Sequence, residues 1–153
     1  MTDESKEMDL EELRQKIDAI DQKLLVLIND RASYALQIAE VKTAASDGAA
    51  PVFYRPDREA RVLRNLTSQN SGPMNAENIA LIFRQIMSAC LALEQPMRVA
   101  YLGPEGTFTQ QATLKHFGKS VLGQPMVTVD DIFREVASEN VHYGVVPVEN
   151  SSE

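Results

Sequence analysis

The sequence predicts a mainly α fold, three helices followed by the incomplete start of an α/β domain, on three observations. Apolar residues recur at steps of three and four from about residue 10 to about residue 42: Leu10, Leu13, Ile17, Ile20, Leu24, Leu27 or Ile28, Ala35, Ile38 and Val41. Two more amphipathic segments follow before Pro96. From Arg98 onward the pattern changes to short β-like runs that alternate with helical stretches.

The first helix is expected to run for roughly nine turns, about 50 Å. Ala44 to Pro51 loses periodicity and reads as a loop. Pro56 suits the first turn of a second helix, where its missing N–H costs nothing. Glu59, Val62, Leu63 and Leu66 mark its inner face, and Ser71-Gly72-Pro73 ends it. Asn75 is the expected N-cap of a third helix, with Ile79, Ile82, Phe83, Ile86, Cys90 and Leu93 inward and Gln95-Pro96 closing it.

In the second part, Arg98 to Gly103 reads as a strand leading into the turn Gly103-Pro104-Glu105-Gly106. A helix over Thr109–Phe117, a strand over Met126–Val129, a helix over Asp130–Glu139 and a strand over Tyr143–Val148 follow. Such alternation predicts a parallel sheet. About 55 residues are too few to cover both faces of one. The expectation is therefore a two-domain protein cut short, with one domain over residues 1–96 and the beginning of another over 97–153. A first helix that outruns its two companions cannot bury its stripe within one chain, so a two-fold helical homodimer is expected.

The most telling residues are Arg31 and Lys42. At about 100° per residue both project near the centre of the first helix's apolar stripe, within roughly 20° of each other. A cation there is costly unless something anionic pairs with it. Two of them three turns apart point to a pocket for a small anion. Arg14, Arg58, Glu59 and Glu94 lie on or beside other inner faces. Arg14 falls about 80° off the stripe and would reach such a pocket only in the partner of an antiparallel dimer.

Composition narrows the function. The 153 residues are 24% charged and 44% apolar, with net charge −7, no Trp and no basic run, which argues against a nucleic-acid partner. No uninterrupted run of about 18 apolar residues predicts a membrane span. The acidic start lacks a secretory core, and Cys90 is the single cysteine, so a cytoplasmic location is expected. The sequence offers no Ser–His or Cys–His pairing, metal cluster or phosphate loop. His116 and His142 lie outside the helical part, and Cys90 is centred on an apolar face. Neither metal nor cofactor is expected; the site suits a reaction run by positioning and electrostatics.

Residues 10–95 resemble the all-helical chorismate mutases, in particular those of the bifunctional chorismate mutase–prephenate dehydratase family of phenylalanine biosynthesis. The segments that carry the likeness are Leu13 to Leu25, Arg31, Lys42 and Asp57-Arg58-Glu59. Gly103-Pro-Glu-Gly-Thr-Phe-Thr109 and Gly144-Val-Val-Pro-Val-Glu-Asn-Ser151 resemble the opening of a prephenate dehydratase. The resemblance implies an intertwined homodimer that rearranges chorismate to prephenate. It implies that Arg31 and the partner subunit's Arg14 grip the carboxylates, that Lys42 binds near a carboxylate and the ether oxygen, and that Glu59 accepts the ring hydroxyl beside Arg58. Three positions depart from the family pattern. Arg55 stands where relatives often carry an acid, Cys90 where some have Ser, and Glu94 where several have Gln facing the ether oxygen. An ionised Glu94 cannot donate to that oxygen, whereas a protonated one can.

Gly106, Thr107, Glu149, Asn150 and Ser151 are the positions implied for a prephenate-binding edge. The family's later Thr-Arg-Phe motif and phenylalanine-sensing regulatory domain are not in this sequence. Dehydratase activity is therefore not expected of the chain alone, nor is high stability of residues 98–153. The competing expectation is a non-catalytic helical dimerisation module whose inward cations only pair with Glu59 and Glu94.

Overall fold

The computed structural model describes residues 9–149. Three helices come first: α1 (Leu10–Ala45), α2 (Pro56–Gln69) and α3 (Ala76–Glu94). Glu11 and Glu12 in the first turn of α1 and Lys42 in its last have the signs that the helix dipole favours. Pro56 occupies the first turn of α2. The Asn75 side chain caps α3 by accepting from the Asn78 N–H at 2.8 Å. α3 packs against both α1 and α2. By length and composition α3 could cross a membrane, with mean hydropathy 1.3 over its apolar window. Here it instead lies against its two companions and the second segment.

Within α1 coverage is uneven. Every residue from Leu10 to Asp30 is exposed, among them Ile17 (57%), Ile20 (54%) and Leu24 (48%), and Ala35 is the buried residue of the helix.

The second segment is β1 (Arg98–Leu102), α4 (Phe108–Phe117), β2 (Leu122–Met126), α5 (Val129–Ala137) and β3 (Tyr143–Val145). The sheet is parallel, in the order β2-β1-β3. Val99, Ala100 and Tyr101 in the central strand are essentially inaccessible. Alternation sends Val99 toward Met97 and Phe117 on one face and Ala100 toward Ile132 and Val141 on the other.

The second strand does not lie where the sequence pattern placed it. It spans Leu122–Met126, not Met126–Val129. Pro125 is tolerated because β2 is an edge strand, and Gly123 because the Tyr101 ring approaches it, 3.1 Å from where a Cβ would stand. The β-branched residues that suggested a strand serve otherwise. Val127 is 90% exposed, and the Thr128 hydroxyl caps α5 by accepting from the Asp131 N–H at 3.1 Å.

The two segments meet along α3. Gly118, at φ +83°, lies against Ser88 so closely that any side chain there would collide with it. The Lys119 N–H donates to Gln85 Oε1 at 2.9 Å and the Ser120 N–H to Ser88 Oγ at 3.4 Å. Arg84 Nη1 donates to the Lys115 carbonyl at 3.0 Å. Beside this seam the rings of Tyr54, Phe117 and Tyr143 pack together with centroids 5.4–5.8 Å apart.

Candidate active site

A cavity of about 270 Å³ opens where the second half of α1, the start of α2 and the end of α3 converge. Helical spacing explains its chemistry. Arg31, Ala35, Ile38 and Lys42 share one face of α1, and Met87, Leu91 and Glu94 share one face of α3. α2 supplies Arg58, Glu59 and Val62, and the preceding loop supplies Phe53, Tyr54 and Arg55. Six candidate residues therefore line one concavity: Arg31, Lys42, Arg55, Arg58, Glu59 and Glu94.

Each of these groups is held differently. The Lys42 ammonium donates to the carbonyls of Val52 at 3.1 Å and Phe53 at 3.4 Å, and lies 5.6 Å from the centre of the Phe53 ring. It thereby ties the loop after α1 to the cavity rim. The Arg55 guanidinium forks onto Asp57, Nε to Oδ1 at 3.0 Å and Nη2 to Oδ2 at 2.9 Å. Those hydrogen bonds hold the Asp57 carboxyl below the usual carboxylate range. Burial pushes the Glu94 carboxyl up, while Lys42 and then Arg31 pull it down. Burial likewise pushes Glu59 up, opposed by Arg84 and then His116. The Tyr54 phenol is pushed up to about 12, first by burial and then by Glu59 and Tyr143.

Arg14 and Cys90 are not among the lining residues. Arg14 is exposed, 3.9 Å from Glu11, and lies about 25 Å along α1 from Arg31. Cys90 is 4% exposed and packed into the body of α3. Five lining residues had no place in the sequence argument: Tyr34, Phe53, Tyr54, Met87 and Leu91. Behind the cavity, Arg84 Nε stands 3.6 Å from Glu59 Oε1. A cation inside the apolar run of α3 was the available signal for Arg84, the same signal that singled out Arg31.

In the second segment the Thr107 hydroxyl is committed to the fold. It donates to the Leu102 carbonyl at 3.1 Å and accepts from the Gln110 N–H at 3.4 Å, capping α4. Gly106 adopts φ +86° and donates to Gln110 Oε1 at 2.6 Å. Neither lines the shallow cleft that Gly103, Pro104, Glu105, Pro125, Met126 and Val127 form beside them. Glu149 is exposed, and Asn150 and Ser151 lie outside the described residues.

A larger cavity, about 480 Å³, lies between the 50–54 loop and the second segment. It gathers Arg98, Glu139 and His142 but neither Arg31 nor Lys42, so it lacks the paired inward cations. Among the described residues no group of three or more His, Cys, Asp or Glu could hold a metal ion. The smaller cavity can bind an anionic molecule with two or three cations, offer a carboxylate to a hydroxyl, and present at Glu94 a carboxyl biased toward its protonated form.

Comparison with known proteins gives a matching picture. Residues 13–95 match the family model of type II chorismate mutases and residues 99–153 that of prephenate dehydratases. A bifunctional chorismate mutase/prephenate dehydratase from Pseudomonas aeruginosa is 59% identical over 145 residues, 94% of this chain and 40% of that protein. Proteins of the same description from Aquifex aeolicus and Escherichia coli K12 are 43% and 28% identical over 95% and 92% of the chain. The chain spans about 40% of the length of these relatives. A chorismate mutase structure from Thermus thermophilus superposes with TM-score 0.52 at 30% identity, covering 56% of this chain and 93% of that one.

Proposed function

Because the chain belongs to the type II chorismate mutase family, we propose that it converts chorismate to prephenate in the cavity lined by Arg31, Lys42, Glu59 and Glu94. The observation that carries this reading is the convergence of those four side chains, from three helices, on a space of about 270 Å³. The mutase part is residues 1–96. Residues 97–153 are the start of a dehydratase part, which in proteins as long as the relatives would turn prephenate into phenylpyruvate for phenylalanine synthesis. The location is cytoplasmic.

Chorismate is a dianion with an ether oxygen, and its rearrangement is unimolecular. The protein needs to hold the compact near-attack conformer and to stabilise charge growing on the ether oxygen. Arg31 binds one carboxylate through its planar fork. Lys42 serves a carboxylate and the ether oxygen from the same side, and Glu59 accepts the ring hydroxyl next to Arg58. Glu94, protonated, donates to the ether oxygen. Its raised pKa favours that form, and a bound dianion raises it further.

The second carboxylate is assigned to Arg14 of the partner subunit in a homodimer. Support comes from α1, whose first half leaves nine large apolar side chains between Leu10 and Ile28 exposed. Covering half of them would contribute on the order of 10 kcal/mol before association costs.

Chorismate consumption, followed spectrophotometrically from about pH 5 to 9, tests the reading. Turnover should decline as pH rises and Glu94 ionises, Glu94→Gln should flatten that decline, and Arg31→Ala should lower kcat/KM about 100-fold or more. A helical scaffold would consume no chorismate at any pH. A level wild-type profile would remove Glu94 from the mechanism.

A further inference from the structure

Arg84 stands outside the cavity yet touches its wall. Its Nε is 3.6 Å from Glu59 Oε1, and among the described residues this buried donor has no hydrogen-bond partner. A buried N–H left in that condition is costly, so it draws the nearest acceptor toward it. That acceptor is the Glu59 carboxylate. Meanwhile Nη1 of the same guanidinium is anchored at 3.0 Å to the Lys115 carbonyl at the C-terminal end of α4. One rigid planar group thus spans from α2, through α3, to the second segment.

We propose that Arg84 is a positioning residue for Glu59, and that the end of α4, by holding Arg84, makes the second segment part of the support of the mutase site. The inference rests on the mutase reading. With one oxygen of Glu59 facing Arg84, the carboxylate keeps acceptor capacity for a hydroxyl in the cavity. Arg84 also works against the burial that pushes the Glu59 carboxyl up, and His116 of α4 acts the same way when protonated. The other groups about Glu59 are the Tyr54 phenol, Arg58 beside it, and Arg31, Lys42 and Glu94, which share the cavity. The geometry makes Arg84 the group whose removal acts on Glu59 and leaves the cavity lining intact.

The test is steady-state mutase kinetics across pH on the whole chain, for wild type, Arg84→Gln, Arg84→Lys and Gln85→Ala. At the acid end, below the range that Glu94 governs, activity rises as Glu59 loses its proton. Losing the positive charge raises the pKa of Glu59, so this acidic limb should move to higher pH in Arg84→Gln. KM should rise more than kcat falls, because the hydroxyl is held in ground and transition states alike. Arg84→Lys should return the limb toward wild type. Gln85→Ala, which cuts the Lys119 contact at the same seam without touching Glu59, should leave the limb in place.

If Arg84→Gln does not fold, His116→Gln, at an exposed position, should move the limb the same way by less. The Glu59 carboxyl-carbon shift, titrated by NMR, reads the same pKa without turnover. A limb and titration that superimpose on wild type, with only the melting temperature changed, would overturn the inference and leave the mutase reading standing. A wild-type chain that titrates normally but turns over no chorismate would overturn both.

Discussion

From Leu10 to Asp30 every residue of α1 is exposed, whereas from Arg31 onward the same helix is covered at Arg31, Ala32, Ala35, Ala39 and Lys42. The apolar spacing is no different in the two halves. What differs is the neighbour: α3 lies against one half, and none of the described residues covers the other. A hydrophobic period therefore reports that a face is meant to be buried and is silent about which molecule buries it. The proposed site divides along the same line, with Arg31 and Lys42 in the covered half and Arg14 in the bare one.

The strongest way to break this comparison is to charge the bare stripe. Leu24→Asp, near its middle, should disrupt the proposed dimer at a cost of several kcal/mol, the usual penalty for an unpaired buried charge. Sedimentation should then report the mass of one chain, and an unchanged assembly would show that the stripe is covered in some other way.

A sharper version uses the divided site. Arg14→Ala should lower kcat/KM about 100-fold although Arg14 is remote from the cavity of its own chain. Mixing Arg14→Ala with Arg31→Ala chains should recover about a quarter of wild-type turnover, because half the dimers are mixed and each then has one intact site. No recovery would mean that both arginines act within one chain.

The smallest effect concerns Tyr54, which joins the covered side to the second segment. Its phenol stays protonated in the fold up to about 12, against an ordinary value of 10.0. A folded pKa above the unfolded one gives stability that is present below pH 10 and lost as pH rises from 10 to 12. The partly buried ring still meets some solvent screening, and about 1 kcal/mol is expected. Thermal melts between those pH values should fall more steeply for wild type than for Tyr54→Phe, and parallel melts would remove Tyr54 from that balance.

Much of this was legible because helices advertise themselves. Pro56 in a first turn, the Asn75 cap and the 3.6-residue period gave the helices, and Arg31, Lys42 and Glu94 stood out as charges on apolar faces. The rest was not local. β2 was misplaced because Val127 and Thr128 have strand propensity, whereas pairing with β1 selected Leu122–Met126 despite Gly123 and Pro125. Cys90 shares α3 with Glu94, but it faces the helix packing and not the cavity. The contacts of Arg84 with Glu59 and Lys115, 25 and 31 residues away, have no signature in spacing at all.

The two loop carbonyls that receive the Lys42 ammonium have a bearing on how tightly an anion can be caught. A lysine side chain surrenders roughly 2 kcal/mol of rotational freedom when it is fixed. Here that loss falls when the polypeptide first folds, since Val52 and Phe53 already hold the nitrogen. An arriving guest meets a charge that is already standing still, whose one remaining hydrogen the carboxylate and the ether oxygen must share.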